Sequence, residues 1–273
     1  MSVSMTNFIQ RTITGILFTI IVIGAIITHP LSYGLIFLAV IIIGIGELKR
    51  MIDDNQSKIH YSSALIISTF IYLFTFALHY WHLPLKWITL LIPLTWLPFT
   101  VELFQKNPKP FRNIALTFLS IIYITLPITL LHFMAFKDGA YGFVPVLCFF
   151  LLVWINDSGA YLVGVNFGKH KLFERISPKK TIEGFVGGII CNLIAAYFIH
   201  RYTQIGSLWI WMATALVISI IGTAGDLIES MLKRSHNVKD SGTFLPGHGG
   251  ILDRFDAALF SAPMVSLLFY YFT

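Results

Sequence analysis

The run LSYGLIFLAVIIIGIGEL at residues 31–48 decides the fold, because its 18 residues carry a single charge, Glu47. A membrane-crossing helix needs about 20 mainly apolar residues. Backbone polar groups cannot stay unpaired in lipid, so a helix is the form such a run takes. Working outward, comparable runs lie near 12–28, 63–82, 86–104, 113–134, 141–164, 182–200, 206–224 and 255–272, with a tight turn at His29-Pro30 between the first two. No strand alternation of the outer-membrane-barrel kind accompanies them. The expected fold is therefore all-α, a polytopic helical membrane protein of about nine transmembrane helices.

Composition agrees. Of the 273 residues, 56% are hydrophobic and 12% charged, against about 25% charged in soluble domains. A soluble fold of this size has no way to hide so much apolar surface, since its own exterior must stay wet. The net charge of +6 does not mark a nucleic-acid partner, because the basic residues sit in short loops between apolar runs rather than on one basic domain.

Those loops set the orientation. With nine spans and the N-terminus inside, Arg11, Lys49, Arg50, Lys58, Lys106, Lys109, Arg112, Lys169, Lys171, Arg175, Lys179, Lys180, Lys233, Arg234, Lys239 and Arg254 all face the cytoplasm. Lys86, Lys137 and Arg201 face the other way, so the split of the 19 basic residues is 16 to 3. Positive charge collects on the cytoplasmic side of membrane proteins. The N-terminus is expected inside and the C-terminus outside, in the cell's inner (cytoplasmic) membrane. Residues 1–140 are read as N-terminal transmembrane helices and 141–273 as a catalytic transmembrane region with cytoplasmic loops 166–181 and 225–254. Cys148 and Cys191 fall inside apolar runs and read as buried hydrophobic residues. Thr14 to Thr28 reads as a retained helix, since no small-residue cleavage site follows it.

The two long loops carry the chemistry. In the first part of the stretch Asp226 to Asp256, helical spacing puts Asp226, Ser230 and Lys233 on one face at i, i+4 and i+7. Asp253 and Asp256 share a face where the last span begins. Between these acids, Pro246-Gly247-His248-Gly249-Gly250 cannot be regular helix, and its glycines let backbone N–H groups approach a ligand. Carboxylates from two helix ends with cations between them suit Mg²⁺ and phosphate, since Mg²⁺ takes oxygen ligands and leaves several places to substrate and water. The plain alternative is a solvated loop whose charges only mark the cytoplasmic face.

Ser177-Pro178-Lys179-Lys180-Thr181-Ile182-Glu183-Gly184 reads as a helix start with Ser177 as N-cap and Pro178 at the first helical position. Lysines in a first turn oppose the helix dipole unless an anion binds there, or they simply flank a span as a topology signal. Asp157, beside Asn156 inside an apolar span, points to a functional or structural polar network. Ala160, Tyr161, Gly164 and Gly168 beyond it suit a close helix contact. Glu47 and Glu102 read as span-end acids that snorkel to water. His29, His79, His82, His132 and His200 read as interfacial.

Ser230-x-Leu232-Lys233-Arg234-x4-Lys239-Asp240-x-Gly242-x2-Leu245-Pro246-x-His248-Gly249-Gly250-Ile251-x-Asp253-Arg254-Phe255-Asp256 resembles the signature of the phosphatidate cytidylyltransferases, or CDP-diacylglycerol synthases, without departure over 27 positions. Asp157-x-x-Ala160-Tyr161-x-x-Gly164 and the Ser177 to Gly184 stretch are similar to further motifs of that family. The resemblance covers about 155–256, and the short chain is similar to the bacterial form.

The resemblance implies transfer of a cytidylyl group from CTP to phosphatidic acid at the bilayer, with pyrophosphate released and Mg²⁺ required. It implies Asp226 and Asp253 as metal ligands, with Asp256 and Asp157 as further participants and a second cation left open. Lys179, Lys180, Lys233, Arg234 and Lys239 are implied as phosphate binders, and His248, Gly249 and Gly250 as shaping the nucleotide pocket. It also implies a homodimer. A lipid kinase or another membrane lipid-phosphate transferase stays open beside this reading. A transporter fits less well, having no use for Pro246 to Gly250 outside the membrane and normally showing paired broken helices.

Overall fold

The structure is a computed structural model that describes residues 2–54, 57–137, 139–245, 247 and 249–273. The chain is a multi-pass helical membrane protein. In order it forms α1 (Ser2–Thr28), α2 (Pro30–Ile52) and α3 (Tyr61–Tyr80), then a 3₁₀ helix at Leu85–Trp96 that runs into α4 (Leu97–Leu103). It continues with α5 (Pro110–Ala135) and α6 (Phe143–Phe167), a hairpin of β1 (Lys171–Phe173) and β2 (Ser177–Thr181), and then α7 (Ile182–Thr203), α8 (Leu208–Ser235) and α9 (Leu252–Phe272). Among the described residues seven helices are long and apolar enough to cross a membrane, namely α2, α3 and α5 to α9, and Thr12–Thr28 is a shorter apolar helix. The segment expected at 86–104 is wound differently. Pro93 lies inside its 3₁₀ stretch and Pro98 in the first turn of α4; each proline removes a backbone donor and breaks the regular ladder.

The chain divides into two compact units. The first comprises Met1–His132, Asp138–Tyr141 and Asp240–Arg254. Tyr33, Phe37, Ile41, Ile45 and Leu48 form the buried face of α2 at spacings of three and four. Leu31, Leu35 and Ile42 remain exposed, as suits a helix whose outer solvent is lipid. A buried hydrogen bond of 2.7 Å from Thr125 to Ser68 ties α5 to α3. The span-end acids of this unit do not snorkel. Glu102 is buried, lies against the His60 imidazole and accepts from Asn113 Nδ2 at 3.1 Å. Glu47 is completely buried. A charge at the end of a span can reach water or be paired inside, and nearby donors decide the matter for both. His132, too, is buried rather than interfacial. It lies 3.2 Å from the Tyr33 hydroxyl, with the rings of Tyr72 and Phe76 against it.

The second unit comprises Phe133–Lys137, Gly142–Lys239 and Phe255–Thr273. Its tightest contact joins α6 to α7 through small residues. A Cβ on Gly184 would lie 2.7 Å from the Ala160 carbonyl, and one on Gly188 3.1 Å from Asn156 Oδ1. The backbones therefore approach closely, as small residues permit in membranes. Tyr161, on the same stretch, is instead exposed.

The hairpin pairs Lys171 with Thr181 and Phe173 with Ser177. This corrects the helix start expected at Ser177-Pro178. Those residues are strand, and α7 is capped by Thr181, whose side chain accepts from Gly184 N at 3.1 Å. Lys179 and Lys180 consequently stand in the strand leading into the helix, outside its first turn. The acid in that turn is Glu183, which suits the dipole and also ties down the incoming loop by accepting from the backbone of Lys169 and His170.

Candidate active site

In the second unit, α8 is interrupted by a π-helical turn at Ile218–Gly222 just before Asp226. Such single turns are frequent at functional sites. Gly225 lies so close to Phe260 that a Cβ would meet its ring at 2.7 Å, which seats this part of α8 against α9. Asp226 accepts from Ser230 Oγ at 3.3 Å and forms an ion pair with Lys180 of β2. Glu229, three residues on, is wholly buried, with Lys233 Nζ 3.5 Å from its carboxylate. The carboxylate of Asp256, on α9, interacts electrostatically with those of Asp226, Glu229 and Asp157. Four acids from three helices thus share one region, with Lys180 and Lys233 supplying positive charge. Like charges so grouped repel, and their stability depends on cations close by.

The remaining basic candidates of this unit lie further out. Lys179 and Lys239 are exposed, and Arg234 is exposed with its Nη1 donating to the Val238 carbonyl at 3.1 Å. These three stand on accessible surface.

In the first unit, Asp253 opens α9 within a cradle of donors. Its Oδ2 accepts from Ser241 N at 2.9 Å, Ser241 Oγ at 2.9 Å and Gly250 N at 2.8 Å. Three donors on one oxygen favour the ionised carboxylate and fix its direction. Gly249 has φ +85°, and a Cβ there would lie 2.5 Å from Asp253 Oδ2, so only glycine allows the backbone to pass this close. Leu245 and Gly249 bridge across the turn, with Leu245 N donating to Gly249 O at 3.0 Å. His248, the remaining expected pocket residue, lies outside the described residues.

The structure therefore brings Asp157, Asp226, Asp256, Lys180 and Lys233 into one region, and Gly249, Gly250 and Asp253 into another. Sequence reasoning missed three participants. Glu229 follows Asp226 at i+3, a spacing that puts both on adjoining parts of one face. Ser241 fills a variable place in the signature. Glu47 is the lone charge of its apolar run.

The chain matches the Cytidylyltransferase family over residues 9–272. It is 41% identical over 180 residues to a protein of Staphylococcus aureus (strain COL) named "Phosphatidate cytidylyltransferase", which covers 65% of this chain and 67% of that relative. A protein of the same name from Staphylococcus saprophyticus is 40% identical over 179 residues, and one from Staphylococcus haemolyticus 41% over 179, each with the same shares covered. With the match running over almost its whole length and these relatives beside it, the chain belongs to the cytidylyltransferase family.

Proposed function

We propose that the chain transfers the cytidylyl group of CTP to phosphatidic acid, giving CDP-diacylglycerol and pyrophosphate for phospholipid synthesis. One observation carries the reading: in a chain of this family, Asp226, Glu229, Asp256 and Asp157 form an acidic group that includes the Lys180–Asp226 ion pair. A phosphate oxygen of the lipid attacks the α-phosphorus of CTP. The new O–P bond forms as the bond from the α-phosphorus to the bridging oxygen breaks, and pyrophosphate leaves with those electrons. The nucleophile is already anionic at neutral pH, so no serine or cysteine nucleophile and no general base is required. What the side chains contribute is position and charge.

Asp226 and Asp253 are each assigned as a carboxylate ligand of Mg²⁺, with Asp256 and Asp157 as further participants and a second cation in view. The donor chemistry fits, since Mg²⁺ takes oxygen ligands and commonly only one or two protein carboxylates besides substrate phosphates and water. Bound Mg²⁺ supplies neutralisation of phosphate charge and polarisation of the phosphoryl oxygens. Lys179, Lys180, Lys233, Arg234 and Lys239 are assigned to the phosphates of the two substrates. Lys180 is kept in place by Asp226, whereas the exposed Lys179, Arg234 and Lys239 suit the capture of anions from solution. Gly249 and Gly250, with His248, are assigned to the nucleotide pocket.

The positive-inside distribution of basic residues supports nine crossings, with the N-terminus in the cytoplasm, the C-terminus outside and the site facing the cytosol, where CTP is found. The segments 12–28 and 86–104 are assigned as the two crossings added to the seven long apolar helices. The cell's inner membrane is the assigned location. The family resemblance supports a homodimer, which cross-linking in native membranes tests.

Membranes containing the protein are expected to convert CTP and phosphatidate to CDP-diacylglycerol only when a divalent metal is present. Asp253→Asn is expected to abolish nearly all of this while the protein still inserts and folds. Full activity in that variant rules out its assignment as a ligand, and solute transport without CTP turnover rules out the enzyme reading.

A further inference from the structure

Glu47 is a carboxylate with no exposed surface, near the end of an otherwise apolar helix. Burying a charge there is costly, so its partners indicate what it does. Its Oε1 accepts from Ile251 N at 2.9 Å and its Oε2 from Leu252 N at 3.0 Å, with Ser241 Oγ 3.2 Å from Oε2. Ile251 and Leu252 lead into α9, where backbone N–H groups lack partners within the helix. Ser241 Oγ, with one proton to give, donates it to Asp253 Oδ2 at 2.9 Å, the same oxygen that receives Ser241 N and Gly250 N, and so stands wedged between the two acids. The space around this link is closed. A Cβ on Gly242 would lie 2.5 Å from Glu47 Oε1, and one on Gly250 2.4 Å from Glu47 Oε2.

We propose that Glu47 is a positioning residue for the transfer reaction. It anchors the Ile251–Leu252 end of the 241–252 loop through two backbone hydrogen bonds and packs against Ser241 Oγ, whose proton goes to Asp253, so that the Asp253 carboxylate is held in one direction. The inference rests on the assignment of Asp253 as a metal ligand and adds a residue that lies about 200 positions away in sequence (the Ser241 contact spans 194). Glu47, wholly buried, is assigned no direct role toward metal or substrate. A glutamine at 47 keeps the shape but turns an NH₂ group toward Ile251 N or Leu252 N, which need an acceptor, so at least one of the two backbone bonds is lost. Partners that orient a metal ligand typically change metal affinity or activity by about 10–100-fold when removed.

The test is Mn²⁺ binding to the purified full-length protein, measured by electron paramagnetic resonance of the free ion, alongside the activity and the thermal midpoint in detergent. Glu47→Gln is expected to raise the half-saturating Mn²⁺ concentration about tenfold or more, with a smaller loss of kcat at saturating metal. Ser241→Ala leaves the Glu47 bonds to Ile251 and Leu252 in place and removes the link to Asp253. It is expected to shift the Mn²⁺ midpoint in the same direction even if Glu47→Gln fails to fold. Asp253→Asn is the reference. If it loses Mn²⁺ binding while Glu47→Gln and Ser241→Ala bind as the unsubstituted protein does, with only a lowered thermal midpoint, Glu47 is a structural buttress and the inference is overturned. If Asp253→Asn itself binds Mn²⁺ normally, the ligand assignment fails and the inference falls with it.

Discussion

Gly250→Ala puts one methyl group into the most crowded point of the 241–253 loop. Its Cβ would lie 2.1 Å from Ser241 Oγ and 2.4 Å from Glu47 Oε2. Neither oxygen is the loose end of a flexible chain, since Ser241 Oγ donates its one proton to Asp253 and Glu47 Oε2 accepts from Leu252 N. Overpacking a tight site costs about 1–3 kcal/mol. Turning Ser241 Oγ away to relieve it gives up a hydrogen bond to a charged group, worth about 1.5–3 kcal/mol. The two together come to about 2.5–6 kcal/mol, a large fraction of the roughly 5–15 kcal/mol that separates folded from unfolded protein. The assay is unfolding of the purified protein in detergent, followed by tryptophan fluorescence and paired with CDP-diacylglycerol synthesis. We expect a clearly lowered midpoint and at least a tenfold loss of activity. In the Gly250→Ala background, Ser241→Gly removes the nearer oxygen and is expected to recover part of the midpoint but not the activity, because Asp253 then lacks its hydroxyl donor. An unchanged midpoint with full activity in Gly250→Ala refutes the idea that a closed loop holds Asp253.

Three further outcomes are expected. Lys180→Met leaves Asp226 facing Glu229 and Asp256 without its lysine; the rate of CTP turnover should fall about tenfold or more, and Lys180→Arg should restore a larger share of it than any neutral residue. Thr181→Ala removes the side-chain acceptor of Gly184 N and is expected to cost about 1 kcal/mol in unfolding experiments, whereas Thr181→Ser should cost less. Gly188→Val drives a branched side chain against Asn156 and Ala160; about 1–3 kcal/mol of overpacking should appear as a lowered thermal midpoint.

The helices were legible because hydropathy is local. Each long apolar run became a helix, and the departure at 85–103 traces to Pro93 and Pro98, residues visible in the run itself. The start of α7 was harder, because Ser177-Pro178 and Thr181 are both good local starts. The strand pairing of Lys171 with Thr181 decides between them, and no window around either site contains it. The acids of the site divide in the same way. Asp157, Asp226, Asp253 and Asp256 are conspicuous as charges inside or beside apolar runs, whereas the burial of Glu229 depends on what packs over α8.

Glu47 shows most plainly where local reading ends. A carboxylate near a span end can extend to water or be drawn inward, and the sequence around it is compatible with either. Drawing it inward requires donors enough to replace water at both oxygens. Here they are two backbone N–H groups entering α9, one to each oxygen and both about 200 residues away. Both donors are main-chain groups and carry no side-chain signature. The charge was therefore visible in the quoted run from the outset, and its purpose became visible only when the fold brought the 241–252 loop to it.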